Sequence, residues 1–195
     1  MINKKRKSLI YGVGTNDADY RVKVDGIICK YYTAWRHIIE RCYSPLWLNK
    51  YPTYRNCYVC DDWLLFSNFK LWMAKQDWYG RDLDKDIIKP GNNIYSPENC
   101  CFIDQSINKL LTNRGAKRGV YPQGVDLYIS GDRFRAQIVM FSKKVFLGVF
   151  DTVEQAKSVY NKAKSDHINS IASKIQDQRV RNGLTLHAKL ILNEE

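Results

Sequence analysis

Apolar residues recur at three- and four-residue spacing over residues 31–42 (YYTAWRHIIERC), where Trp35, Ile38, Ile39 and Cys42 share one face. That period predicts a helix, with Thr33 as its N-cap. Residues 63–72 (WLLFSNFKLW) repeat the spacing and predict a second buried helix. A loop rich in Tyr, Pro and Asn separates the two, up to Asn56. Residues 83–88 predict a strand, Pro90-Gly91-Asn92-Asn93 a turn, and residues 100–103 (CCFI) a second short strand. Asp104 then caps a short helix that runs to about Thr112.

Beyond a basic, glycine-containing joint at residues 113–118 (NRGAKR), the period changes from helical to alternating. Residues 133–140 (RFRAQIVM) put Phe134, Ala136, Ile138 and Met140 on one side of a strand, and Arg133, Arg135, Gln137 and Val139 on the other. Residues 144–150 (KVFLGVF) follow after a hairpin-length gap. Thr152 opens a helix with Ala156, Val159, Tyr160 and Ala163 inward, and Thr152 with Gln155 has capping-box spacing. The last ~20 residues mix polar and apolar positions, and their pattern assigns no element.

The fold class expected is α+β, in two modules. A helix-rich module ends in a strand–strand–helix unit, and a three-stranded antiparallel sheet packed on one helix follows. The boundaries read as a basic N-terminal segment at 1–29, the first module at 30–113, the second at 114–173 and a tail at 174–195. In the second module the helix covers Phe134, Ala136, Ile138, Val145 and Leu147. The bare sheet face is expected to carry Tyr121, Gln123, Arg133, Arg135, Gln137, Lys144 and Phe146.

Charge sharpens this picture. The chain has 195 residues, 31 Lys and Arg against 20 Asp and Glu, and a formal net charge of +11. Cations placed on phosphates release condensed counterions, so the surplus points to double-stranded DNA as partner. Arg and Gln on a strand ribbon suit the major groove, where they pair base edges bidentately. No apolar run approaches the ~20 residues of a membrane span, and no signal-peptide core follows residues 1–7 (MINKKRK). A cytoplasmic, reducing location is therefore expected, with the six cysteines as thiols or metal ligands.

Gly119-Val120, Phe134-Arg135-Ala136-Gln137-Ile138, Leu147-Gly148-Val149-Phe150-Asp151-Thr152, Glu154-Gln155-Ala156 and Tyr160 occur in the order found in a known family. Residues 117–173 resemble the Apetala-two/ethylene-response-factor DNA-binding domain. The resemblance implies a sheet lying in the major groove, with contacts from Arg118, Tyr121, Gln123, Gln137, Val139, Lys144 and Phe146. Several of these are Arg or Trp in the plant proteins, which implies a different sequence preference.

In the first module, Leu83-Asp84-Lys85-Asp86-Ile87, Tyr95-Ser96-Pro97-Glu98-Asn99-Cys100 and Ile107-Asn108-Lys109 resemble the ββα metal finger of HNH endonucleases. With Arg41-Cys42-Tyr43, Tyr51-Pro52-Thr53-Tyr54, Val59-Cys60 and Trp63, the wider run resembles phage HNH-like proteins that join such a segment to the DNA-reading domain. The resemblance implies a catalytic set of Asp84, Lys85, Asn99 and Asn108, with Mg2+ or Mn2+ held by Asp84 and Asn108. It also implies the cytoplasm of a phage host as location.

Lys85 stands where the nuclease pattern has His, and at an ordinary pKa near ~10.4 it cannot accept a proton. Two readings follow. In one, burial lowers the Lys85 pKa, or a metal-bound hydroxide serves, and duplex DNA is nicked or cut. In the other, Lys85 grips a phosphate and the protein is a non-catalytic DNA-binding regulator or host-directed effector. A module whose basic face meets an acidic protein is a third reading, which leaves the base-reading side chains unexplained. Cys57-Tyr58-Val59-Cys60 has zinc-knuckle spacing, which Cys42 and Cys100 or Cys101 complete if a structural Zn2+ is bound. Buried free thiols are the alternative.

Overall fold

The computed structural model describes residues 9–111, 120–129 and 131–193. Contacts divide the chain into two compact units, the first ending at Gln105 and the second beginning at Ser106.

In the first unit α1 (Lys30–Tyr43) buries Trp35, Ile38, Ile39 and Cys42, the face that the spacing predicts. It starts three residues before Thr33, with Cys29 at the N-cap. The Thr33 hydroxyl instead donates back to the Cys29 carbonyl at 3.3 Å. Ser44 ends α1 and caps α2 (Pro45–Lys50), accepting from the Trp47 N–H, with Pro45 where its missing N–H costs nothing. The helix predicted over residues 63–72 is split. Asp61–Leu64 forms a 3₁₀ turn, Leu65 is extended, and α3 runs Phe66–Met73.

The split has a tertiary cause. The Thr15 N–H donates to the Leu64 carbonyl at 2.8 Å and the Phe66 N–H to the Thr15 carbonyl at 3.1 Å, so a bridge to the N-terminal segment replaces the helical turn at Leu65. Asp17 then caps α3 from a distance, accepting from the Ser67 N–H at 2.9 Å and its hydroxyl at 2.5 Å. Residues 9–29 are thus part of the first unit rather than a separate basic segment. Ile10, Tyr11, Val13, Ala18 and Val22 pack on its core. Within that stretch β1 (Lys23–Val24) and β2 (Ile27–Ile28) form a hairpin turned by Asp25 and Gly26, both at positive φ.

The core gathers Trp35, Ile38 and Ile39 from α1, Phe66, Phe69 and Met73 from α3, and Trp63, Tyr95 and Cys100. The Trp35 indole donates to the Trp63 carbonyl at 2.7 Å, which satisfies the one polar atom of the ring. Two small strand pairs sit on it. β3 (Tyr58–Val59) runs parallel to β5 (Ile94–Tyr95), and β4 (Asp82–Asp84) antiparallel to β6 (Cys101–Ile103). β4 is shorter than the predicted 83–88 strand because the Asp84 side chain turns the chain. Its Oδ1 accepts from the N–H groups of Asp86 (2.7 Å) and Ile87 (2.8 Å).

α4 (Gln105–Leu111) spans the boundary between the units. In the second unit β7 (Val125–Leu127), β8 (Phe134–Met140) and β9 (Lys143–Phe150) form an antiparallel sheet in sequence order. The β8–β9 turn uses Phe141 and Ser142, both at positive φ. Thr152 caps α5 (Val153–Ala172) in a reciprocal capping box with Gln155, as predicted. α5 packs on one face of the sheet, around Val125, Ala136 and Ala156 with Phe134, Leu147 and Phe150. The tail is not irregular. α6 (Gln178–Leu192), capped by Asp177, packs on α5 and buries Val180, Gly183, Leu184 and Ala188. Among the described residues no helix is long and apolar enough to cross a membrane.

Candidate nucleic-acid interface

Strand alternation decides which side chains α5 leaves uncovered. Ala136 and Ile138 are buried, so Arg135, Gln137 and Val139 point outward from β8. Cross-strand partners share a face, which adds Phe146 opposite Gln137, Lys144 opposite Val139 and Asp126 opposite Arg135. A β-bulge on β9 at Leu147-Gly148 shifts the register, so Val149 turns outward and Phe150 inward. Gly148 is required there: its φ is +140°, and a Cβ would stand 2.9 Å from the Phe150 ring.

The outer face holds one built constellation. Asp126 accepts from Arg135 Nε and Nη2, both at 2.8 Å, and from Gln137 Nε2 at 2.8 Å. The Arg135 hydrogen bond is the main reason the Asp126 carboxyl lies below the usual carboxylate range. One carboxylate therefore orients two side chains of the kind that read base edges, and neutralises one of them. Lys144 is exposed beyond it, and the exposed Val139 and Phe146 give the face an apolar strip. Arg133 lies at the margin, with its Nε 3.0 Å from Asp151 Oδ1. Residues 106–195 carry 15 Lys and Arg against 8 Asp and Glu, so most of the positive surplus belongs to the second unit.

Two expected members of this face are elsewhere. Tyr121 and Gln123 precede β7 rather than lying on a strand. Tyr121 packs on the inner cluster, its ring 5.6 Å from that of Phe134, and Gln123 accepts from Lys164 of α5 at 3.1 Å. The expected parity is out by one: Val125 faces the inner cluster and Asp126 the outer face, and upstream of them the chain leaves the sheet at Gly124, where φ is +77°. Arg118 lies outside the described residues, as does the 113–118 joint.

The order along the chain is β4, β5, β6 and then α4, so a strand paired elsewhere interrupts the expected loop and the helix crosses into the second unit. Within this stretch the nuclease-pattern residues have structural work. Lys85 is only 8% exposed, and its Nζ donates to Asp86 Oδ1 at 2.7 Å and to the Asn92 carbonyl at 2.6 Å. Asn92 answers with its amide, donating to the carbonyls of Lys85 (2.8 Å) and Ile94 (2.7 Å). Burial pulls the Lys85 pKa down, but the hydrogen bond and charge of Asp86 outweigh it, so the amine is held protonated.

Burial raises the Asp84 carboxyl against the opposing effect of its two backbone N–H donors. Asn99 donates to the Ser96 hydroxyl at 3.1 Å. Asn108 lies on α4 in the second unit, whereas Asp84 belongs to the first. Asp84 Oδ1 is taken by the N–H groups of Asp86 and Ile87, and the Lys85 charge opposes the effect of burial on the carboxyl.

The six cysteines are free thiols. Cys57 Sγ lies 4.0 Å from the Thr53 carbonyl and 3.9 Å from Asn93 Oδ1. Burial pushes the Cys42 thiol up to about 12 and raises those of Cys57, Cys60 and Cys100. Among the described residues, no three His, Cys, Asp or Glu side chains gather where they would hold a metal ion.

Three residues of these sites carry no sequence signal of their own: Asp126, Asn92 and Lys164. Asn92 was visible only as part of a turn, and Asp126 meets Arg135 only through the strand register. No family model matches the chain, and neither a curated protein nor a solved structure matches it.

Proposed function

We propose that the protein binds double-stranded DNA through the outer face of the β7–β8–β9 sheet. The observation that carries this reading is the Asp126–Arg135–Gln137 constellation. A carboxylate that holds the Nε/Nη2 edge of a guanidinium fixes its plane and leaves Nη1 to reach outward. Such preorganisation lowers the entropy lost when a side chain engages a base edge. Lys144 supplies a phosphate contact beside it, and Phe146 and Val139 supply apolar contact of the kind a thymine methyl accepts. The resemblance of residues 117–173 to a sheet-based DNA-reading domain agrees with this placement for Gln137, Val139, Lys144 and Phe146, and strand alternation adds Arg135.

The β4–β6–α4 segment is, in this proposal, a finger-like scaffold that does not cleave. Lys85 occupies the position of the general base and is a protonated tether, so it has no lone pair to take a proton from water. Two assays test the proposal. Anisotropy of a labelled random-sequence duplex should show affinity falling steeply between about 50 and 200 mM salt. Lys144→Ala should lower the salt slope by roughly one. Binding indifferent to salt and to Lys144→Ala would remove the interface. On supercoiled plasmid with Mg2+ or Mn2+, wild type and Asp84→Ala should be equally inert. Nicking by wild type that Asp84→Ala abolishes would restore the nuclease reading.

A further inference from the structure

Asp126 is a carboxylate on the face that, in the proposed function, meets a polyanion. It opposes phosphate binding twice, by its own charge and by neutralising Arg135. Neither group is hidden from a partner, since the Asp126 side chain is 40% exposed and that of Arg135 34%. Strand register alone places the two opposite each other.

The geometry gives the carboxylate a different use. A guanidinium has two edges that offer parallel N–H donors, one through Nε and Nη2 and one through Nη1 and Nη2. Asp126 takes the first, at 2.8 Å from each nitrogen. The second is left, with its plane fixed by the bond to Asp126. Two parallel donors match the O6 and N7 of guanine, the base that presents two acceptors side by side in the major groove.

Gln137 is held by the same group. Its Nε2 donates to the Oδ2 that also accepts from Arg135 Nη2, so the two tips stand within two hydrogen-bond lengths of each other. That span suits neighbouring bases, which rise by about 3.4 Å along a strand. With Nε2 turned to the carboxylate, the Gln137 carbonyl oxygen is left as an acceptor for the exocyclic amine of adenine or cytosine.

We infer that Asp126 is the specificity-determining positioning residue of the sheet: it converts Arg135 from a phosphate-binding charge into a reader of guanine, with Gln137 directed to an amino-bearing base beside it. This role rests on the proposed duplex binding. A carboxylate–guanidinium pair has no net charge, so it displaces few counterions and adds little to sequence-independent affinity. What remains is a directional pair of hydrogen bonds, and direction is what tells one base edge from another.

The test uses the full chain and a duplex library randomised over its central base pairs. Bound and unbound fractions are sequenced for wild type, Asp126→Asn and Arg135→Lys, with circular dichroism melts to check each fold. Wild-type sites should share a guanine, preferred over other bases by about 10- to 100-fold. Asp126→Asn should lose most of that preference, yet bind a random-sequence duplex more tightly, with a salt slope steeper by roughly one. Arg135→Lys keeps the charge without the planar fork and should also lose the guanine. Replacing the shared guanine by 7-deazaguanine, which lacks N7, should weaken binding by wild type and leave Arg135→Lys unchanged.

Salt-dependent binding with no shared guanine, or indifference to 7-deazaguanine, would overturn the guanine contact and leave the sheet interface standing. A guanine preference that survives Asp126→Asn would overturn the role of Asp126. Failure of wild type to bind any duplex at low salt would remove the interface itself, and this role with it. The 7-deazaguanine arm needs no change at Asp126, so it decides the contact even if Asp126→Asn melts early.

Discussion

Replacing Lys85 by Met should destabilise the first unit by about 2–4 kcal/mol. The amine donates to the buried Asn92 carbonyl at 2.6 Å and to Asp86 Oδ1 at 2.7 Å. A hydrogen bond to a charged group contributes roughly 1.5–3 kcal/mol, and a buried carbonyl left without a donor costs about 1–3 kcal/mol more. The Asp86 side chain is 46% exposed, so that ion pair adds at most about 1 kcal/mol after solvent screening. Against these stands the desolvation of the ammonium that Met no longer requires, which brings the net into the stated range.

All five tryptophans lie at or before residue 78, so their fluorescence reports the first unit selectively. For a unit of this size the loss corresponds to a melting temperature lower by about 10–20 °C. Asn92→Ala should cost a similar amount, and the two losses should add to less than their sum because both cut one network. If Lys85→Met unfolded within about 0.5 kcal/mol of wild type, the tether would carry no stability. The argument that Lys85 is structural rather than chemical would then fail.

Phe134→Ala should cost the second unit about 3 kcal/mol, whereas Arg135→Ala should leave its circular dichroism melt nearly unchanged and weaken duplex binding. The reverse pattern would put the β8 register out by one residue. Asp84→Asn keeps the acceptor for two backbone N–H groups and removes a carboxyl whose folded pKa is raised by burial. A raised carboxyl binds its proton more tightly in the folded state. Wild type should therefore lose stability as pH rises from the ordinary carboxylate value through the folded one, and Asp84→Asn should be flatter across that window in tryptophan-monitored urea titrations. Asp84→Ala, which leaves both N–H groups without their acceptor, should be about 1–2 kcal/mol less stable than Asp84→Asn. Gly124→Ala should destabilise the second unit by more than about 2 kcal/mol, since φ is +77° and the new Cβ would lie 2.1 Å from the Tyr160 ring. A melt matching wild type would show that the chain leaves the sheet differently.

Elements decided within a turn or a strand were legible in advance. The apolar face of α1, the Thr152–Gln155 capping box and the parity of β8 depend on periods of 3.6 and 2 and on one side chain reaching three residues along. The α6 signal was also present, in Val180, Leu184 and Ala188 at four-residue spacing, but Gly183 and the polar residues between them masked it. Its place on α5 could not be read, because a helix of this length draws most of its stability from the surface that it covers.

The sequence by itself thus determined the α+β class, the change of period between the two halves and the outward set Arg135, Gln137, Lys144 and Phe146. Only tertiary structure decided where those patterns stop and what their polar groups do. Thr15 breaks the helix at Leu65, Asp17 caps α3 across fifty residues, and Asn92 takes the amine of Lys85. Asp126 meets Arg135 and Gln137 only because β7 and β8 pair in one register. Propensity and periodicity are short-range quantities, fixed by a residue and its near neighbours. A hydrogen-bond partner is chosen by whichever donor or acceptor the folded chain brings within about 3 Å, and that choice belongs to no local segment.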